Sequence, residues 1–216
     1  MSLLTDEIKV QVKESLADLS SKVRLIVFTQ TLECMFCRET RELIEDVAAL
    51  SEMIDVEVYN FIVDAPKARE FKIDKIPALV IMGEKDYGIR FYGIPAGYEF
   101  TSLIHAIRLV GGIGSQLDPA TVAELNKLAQ PVHLQVFVTP TCPFCPQAAV
   151  TAFEMAFVSD QVTADVIESS EFPTLAIKYQ VAGVPLTLIN EQTRIEGTVP
   201  VPMLMEKIRD AIQPQE

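Results

Sequence analysis

The four cysteines of this chain fall into two pairs of identical spacing, Cys34-Met35-Phe36-Cys37 and Cys142-Pro143-Phe144-Cys145. Two thiols three residues apart lie on nearly the same face of a helix, one turn from each other. Such a pair can exchange a disulfide with a substrate, or it can supply half of a zinc site. A permanent staple is the dull alternative, and it gains little because an i,i+3 disulfide closes too small a loop to stabilise much. Exchange requires a thiolate attacking a sulfur, so the first cysteine of each pair must be partly ionised near neutral pH. Placing that cysteine after a strand, where a helix begins, meets the requirement, since free N–H groups and the helix dipole stabilise the anion. Cys34 and Cys142 are therefore the expected nucleophiles, and Cys37 and Cys145 the resolving thiols. Pro143 is expected at the first helical position, where its missing N–H costs nothing.

The zinc reading fares worse. Zinc ribbons place their cysteine pairs about 12–20 residues apart, whereas Cys37 and Cys142 are 105 residues apart. His105 and His133 stand far from every cysteine in sequence and show no metal-ligand spacing. No metal is expected, and the redox-active disulfides Cys34–Cys37 and Cys142–Cys145 serve in place of a separate cofactor. No dinucleotide-binding GxGxxG occurs, so electrons must come from another protein.

The elements that position these pairs repeat. Cys34 and Cys142 are 108 residues apart, and so are Pro77 in KIPAL and Pro185 in GVPLT. Each proline follows the first cysteine of its own half by 43 residues. Each half reads as helix, strand, CxxC, helix, strand, short helix, proline, strand, strand, helix. In the first half Thr5 caps a helix with an apolar stripe of Ile8, Val12, Leu16 and Leu19, and the strand VRLIVFT leads into CMFC. A last helix, YEFTSLIHAIRLV, is expected to stop at Gly111–Gly112. In the second half Asp118 caps and Pro119 opens a helix, and VHLQVFV leads into CPFC. The expected fold class is α/β, two tandem thioredoxin folds, each a four-stranded mixed sheet flanked by helices. The expected domains are residues 1–113 and 114–216, with a boundary in GGIGSQ short enough to pack the halves together.

Composition narrows the partners. Apolar residues are 49% of 216, ample for two cores, but no run reaches the roughly 18 residues a membrane span needs. The opening MSLLTDEIKVQVKESL lacks a basic segment followed by an apolar one, so a cytoplasmic address is expected. A net charge of −12 argues against nucleic acid, which wants clustered Lys and Arg.

The doubled CxxC, the matched prolines and the segment DYGIRFYGIPAGYEF resemble the protein disulfide oxidoreductases of thermophilic archaea and bacteria. These are glutaredoxin-like proteins with two thioredoxin folds, and the resemblance covers nearly the whole chain. It implies a thermophilic host with intracellular disulfides. It implies that Pro77 and Pro185 are cis and face the CxxC pairs. The backbone of the preceding residue, Ile76 or Val184, would then pair with an extended substrate segment. It implies protein disulfides as substrates and a thioredoxin-reductase-like flavoprotein as electron donor. The N-terminal module of the flavoprotein component of alkyl hydroperoxide reductase also doubles this fold, normally with one active CxxC. That likeness gives an alternative, an electron-transfer module between a flavoprotein disulfide reductase and a peroxiredoxin. A zinc-binding scaffold is the remaining reading.

Two further expectations concern tuning. Glu33 precedes Cys34 and disfavours a second anion there, with Arg38 as partial offset, whereas Thr141 and Pro143 bring no charge to Cys142. CPFC should hold the lower nucleophile pKa and be the more oxidising site. Asp46 and Glu154 are also 108 apart, 12 residues beyond the first cysteine of each half. Glu154 interrupts the apolar run VTAFEMAFV, so partial burial and a raised pKa are expected. About 18 Å of straight helix separates each from its nucleophile, which favours a structural role over a proton relay.

Overall fold

The computed structural model describes residues 3–213; the outermost ends of both expected domains, residues 1–2 and 214–216, lie outside the described residues. The first half runs α1 (Asp6–Ser15), β1 (Val23–Thr29), α2 (Cys37–Ala48), β2 (Ile54–Asn60), α3 (Ala65–Glu70), β3 (Ala78–Met82), β4 (Ile89–Tyr92) and α4 (Glu99–Arg108). The second runs α5 (Pro119–Leu125), β5 (Val132–Val138), α6 (Cys145–Val158), β6 (Val162–Glu168), α7 (Pro173–Lys178), β7 (Leu186–Ile189), β8 (Thr193–Glu196) and α8 (Val201–Ile212).

The helix signals act as expected. The Thr5 side chain accepts from the Ile8 N–H, and the Asp118 carboxylate accepts from the N–H groups of Ala120 and Thr121. Each cap satisfies donors that the first helical turn leaves free. α4 does not stop cleanly at the glycines. A wider turn over Leu109–Ile113 carries it on, and Gly112 sits at φ +109°. A Cβ on Gly112 would stand 2.0 Å from the Ser20 Oγ, so both the space and the dihedral exclude a side chain.

The two four-stranded sheets join into one eight-stranded sheet of order β2-β1-β3-β4-β6-β5-β7-β8. The seam is a parallel pairing of β4 with β6, from Ile89↔Ala164 to Tyr92↔Ile167. β3 and β7 run antiparallel to their neighbours, while β1, β2, β4, β5 and β6 share one direction. Both CxxC segments therefore leave the sheet at the same edge, where Pro77 and Pro185 enter it.

β1 and β3 are buried on both faces, which explains their nearly unbroken apolar sequences. Leu25, Val27, Leu79 and Ile81 face the core under α1, α2 and α4, and Ile26, Phe28 and Val80 face the core under α3. The first of these cores is continuous with the one beneath α6 and α8, so the halves share apolar contact as well as sheet.

The repeat is not uniform. β2 and β6 begin 108 residues apart, but β1 and β5 begin 109 apart. The first half thus holds one extra residue between its first strand and its CxxC. Glu33 there adopts φ +56°, a left-handed conformation uncommon for a residue with a side chain. Elsewhere the two copies repeat even unusual geometry, with Lys72 at φ +56° and Gln180, 108 residues later, at φ +49°.

Candidate functional site: two disulfides at one sheet edge

Each CxxC pair is joined as a disulfide, Cys34–Cys37 and Cys142–Cys145, with Cα atoms 5.5 Å apart in both. The second cysteine of each pair is the first residue of its helix, α2 or α6. The nucleophile candidates stand in the turn just before, so Pro146 rather than Pro143 takes the first-turn position in α6. The physical reason holds one turn later, because Pro146 lacks an N–H where the helix offers no acceptor.

In the second half the Cys145 N–H donates to the Cys142 Sγ over 3.1 Å. That donor is one of the four a helix N-terminus leaves unpaired, and it is aimed at the sulfur that must carry negative charge. Cys142 is 7% exposed and Cys145 fully buried. In the first half a backbone donor reaches the other sulfur, Gln30 N–H to Cys37 Sγ at 3.4 Å, and Cys34 is more open than Cys142.

The Ile76–Pro77 and Val184–Pro185 peptide bonds are cis. Both prolines are buried at the start of β3 and β7, while Ile76 and Val184 keep partial exposure. The Val184 carbonyl oxygen lies 3.7 Å from the Cys142 Sγ. The structure thus brings Cys142, Cys145, Val184 and Pro185 together, and places Pro77 at the same end of the sheet as Cys34 and Cys37.

Asp46 and Glu154 lie elsewhere. The Asp46 Oδ2 accepts from the Leu3 N–H over 3.0 Å, which ties the chain ahead of α1 to α2. Glu154 is buried as expected, but its pKa moves the other way. Burial raises it, yet hydrogen bonds from His105 (3.1 Å), Ser115 (2.8 Å) and the Gln116 N–H (2.8 Å), with the charge of His105, hold it below the ordinary carboxylate value. Ionised Glu154 therefore ties α6 to α4 and to the connecting segment, binding the two halves. His105 owes its position to this pairing, and His133 pairs in the same way with Asp165 at 2.7 Å. Among the described residues, no cluster of three or more His, Cys, Asp or Glu side chains could hold a metal ion.

One residue the sequence reading passed over is Glu99. It is fully buried, and burial pushes its pKa up to about 7 against a hydrogen bond from Ser102 (2.7 Å) that favours the anion. Its Oε1 has no hydrogen-bond partner in the structure. Glu99 opens α4, which packs on α6, and the neighbouring Tyr98 N–H donates 2.9 Å to the Pro140 carbonyl, two residues before Cys142. The first half thereby contributes a buried carboxyl on the helix that packs against α6, and a backbone hydrogen bond to the loop that leads into Cys142. A signal existed: Glu99, Ser102, Leu103, Ala106 and Ile107 are the buried stripe of α4, so an acid occupies a core position. Glu171 is a half-buried carboxyl that bridges the halves. Burial and the nearby Glu168 push it up to about 7, although the Ile94 N–H donates to it at 2.6 Å.

Residues 132–210 match the family model described as a thioredoxin domain. Over 208 residues the chain is 25% identical to the alkyl hydroperoxide reductase protein AhpF of Pseudomonas aeruginosa, covering 95% of this chain and 37% of that protein. Over 166 residues it is 24% identical to a NADH dehydrogenase of Bacillus subtilis, covering 77% and 30%. The chain thus spans about a third of the length of the curated relatives it matches. Among solved structures, a protein disulfide oxidoreductase from Aeropyrum pernix superposes with a TM-score of 0.90 at 27% identity, covering 96% of this chain and 93% of that one. The N-terminal domain of the alkyl hydroperoxide reductase AhpF from Enterococcus faecalis superposes with a TM-score of 0.88 at 26% identity, covering 95% and 99%. The fold is a tandem pair of thioredoxin folds with a CxxC disulfide in each.

Proposed function

We propose that this chain is a dithiol–disulfide oxidoreductase acting on protein disulfides through both CxxC sites, with residues 1–113 and 114–216 as its two working units. The observation that carries the reading is the Cys142 sulfur, held between the Cys145 N–H and the Val184 carbonyl beside cis Pro185. In the reducing direction the Cys142 thiolate attacks a substrate disulfide, forms a mixed disulfide and releases one substrate thiolate. Cys145, deprotonated, then attacks the Cys142 sulfur, restores the Cys142–Cys145 disulfide and releases the second. Two electrons pass to the substrate, and oxidation is the same sequence reversed. Cys34 and Cys37 play the same parts in the first half. The backbone at Val184 and Ile76 pairs with the extended substrate segment, beside Pro185 and Pro77. Our candidate for accepting the proton that Cys145 gives up is Glu99, buried on α4 where that helix packs against α6 and ionised above about pH 7.

A second reading draws on the likeness to alkyl hydroperoxide reductase AhpF over nearly the whole chain. In that reading the same dithiols carry electrons from a flavoprotein disulfide reductase to a peroxiredoxin. One experiment separates the two. The reduced protein is mixed with a scrambled-disulfide protein or with an oxidised peroxiredoxin, and the thiols released are counted. Faster exchange with the scrambled protein supports the first reading, and exchange confined to the peroxiredoxin supports the second.

A further inference from the structure

The two sites share a fold but not a rim. Leu32 and Met35 flank Cys34 in sequence, Leu32 lines one cavity with Ile62 and Val63, and the exposures of the four run from 67% at Ile62 to 83% at Met35. Counting from the paired cysteines, the corresponding residues around CPFC are Pro140, Pro143, Ser170 and Glu171. Four aliphatic or thioether side chains in one copy thus become two prolines, a serine and an acid in the other. Phe144 is the large apolar side chain exposed in the CPFC motif itself.

Shape differs as well. A cavity of about 370 Å³ opens on Cys34 and Cys37 and shares Gln30, Thr31 and Asn60 with a more open one of about 670 Å³ lined by Leu32, Ile62 and Val63. The cavity at the sulfurs is otherwise lined by Thr29, Arg38, Arg41 and Val58, and across the three shared polar residues it adjoins the apolar rim. The extra residue in the loop that ends at Glu33 lies along this rim. At CPFC the equivalent loop is closed against the first half, where Glu171 accepts from the Ile94 N–H and Tyr98 donates to Pro140.

We propose that the CMFC site is the docking site for non-native polypeptide, namely an extended segment whose cysteine is flanked by aliphatic side chains. The inference deepens the oxidoreductase reading and rests on it. A folded protein buries cysteine, leucine, valine and isoleucine, so such a segment is displayed by an unfolded chain. An apolar rim adjoining a disulfide site selects for that feature, because side-chain burial holds the segment while Cys34 engages its sulfur. Met35 suits the task, since an unbranched thioether adapts to differing side chains. The reduced site transfers two electrons. Cys34 thiolate attacks the client disulfide, one client thiolate leaves, and Cys37 thiolate then displaces the other as the Cys34–Cys37 disulfide forms.

The test uses the full chain in single-turnover form, reduced beforehand and freed of reductant. Cys142→Ser/Cys145→Ser leaves only CMFC, and Cys34→Ser/Cys37→Ser leaves only CPFC. Each is mixed with two synthetic peptide disulfides of equal net charge, one with leucine and valine on both sides of the cysteine and one with serine and glycine. The CMFC-only protein should exchange with the aliphatic peptide about tenfold faster than with the polar one. Ile62→Ser/Val63→Ser, at two exposed positions, should cut that preference to within about threefold, and CPFC-only should show little preference. Equal rates at CMFC, an equal preference at CPFC, or a preference that survives the serine substitutions would overturn the inference and leave the oxidoreductase reading standing. So would sedimentation showing that the same substitutions dissociate a dimer, because the rim would then serve a second copy of this chain. Exchange with neither peptide at either site would overturn both.

Discussion

Replacing Glu99 by Gln should make the protein's stability less dependent on pH. Glu99 titrates at about 7 in the fold and at about 4.5 when unfolded. Between those values the folded state holds a proton that the unfolded state has lost, so stability falls as pH rises from about 4.5 to about 7 and is level above. The difference corresponds to about 3 kcal/mol. Gln keeps the shape and cannot ionise, so this contribution disappears. Other groups also titrate across the range, Glu171 among them, but they do so in both proteins and cancel in the difference. The assay is chemical unfolding of the oxidised protein at pH 5 and pH 8. Part of the effect is already lost at pH 5, so the loss of stability between the two should be smaller in Glu99→Gln by about 2.5 kcal/mol. An unchanged loss would refute the argument that burial holds Glu99 neutral. If Glu99 also receives the Cys145 proton, mixed-disulfide resolution at CPFC should slow while resolution at CMFC does not.

Three further outcomes are expected. The Cys142 thiolate, facing the Cys145 N–H and flanked in sequence by the uncharged Thr141 and Pro143, should have a lower pKa than Cys34, which follows Glu33; alkylation rates against pH, measured in the Cys145→Ser and Cys37→Ser proteins, give both values. Glu154→Gln removes a charge that three donors hold and should cost about 1.5–3 kcal/mol in unfolding experiments near pH 7. Because the Glu154 pKa is lowered, that contribution is present above pH about 4.5 and fades as pH falls through the folded value, so the two proteins should converge in acid. Gly97→Ala places a Cβ 2.2 Å from the Pro140 carbonyl oxygen at φ +60°, so exchange at CPFC should drop with CMFC unaffected, as read from the two single-site proteins.

Much of this was legible in the sequence because the duplication repeats hard constraints. Cysteine spacing, the helix after each CxxC and the proline before each buried strand recur at one offset, and each has a local cause. What escaped notice is non-local. The β4–β6 seam depends on which edges meet, and alternation within a strand does not encode that. Glu99 lies on α4, whose packing against α6 is likewise non-local, so in sequence it stands out only as an acid on an apolar stripe. The burial of Glu154 is legible from the apolar run around it, but its pKa depends on donors from His105 and the connecting segment, which spacing does not supply. The extra residue before CMFC was hidden because the anchors that revealed the repeat all lie after it.

The central claim is that both disulfides are working redox centres. Equilibrating the protein with dithiothreitol or glutathione buffers of stepped potential, and counting thiols by alkylation and mass spectrometry, tests it directly. Two separate two-electron transitions are predicted, the one for Cys142–Cys145 at the higher potential, and each should vanish only in its own Cys→Ser protein. A pair that stays oxidised across the whole range of both buffers, or four thiols that bind stoichiometric zinc when reduced, would contradict the account.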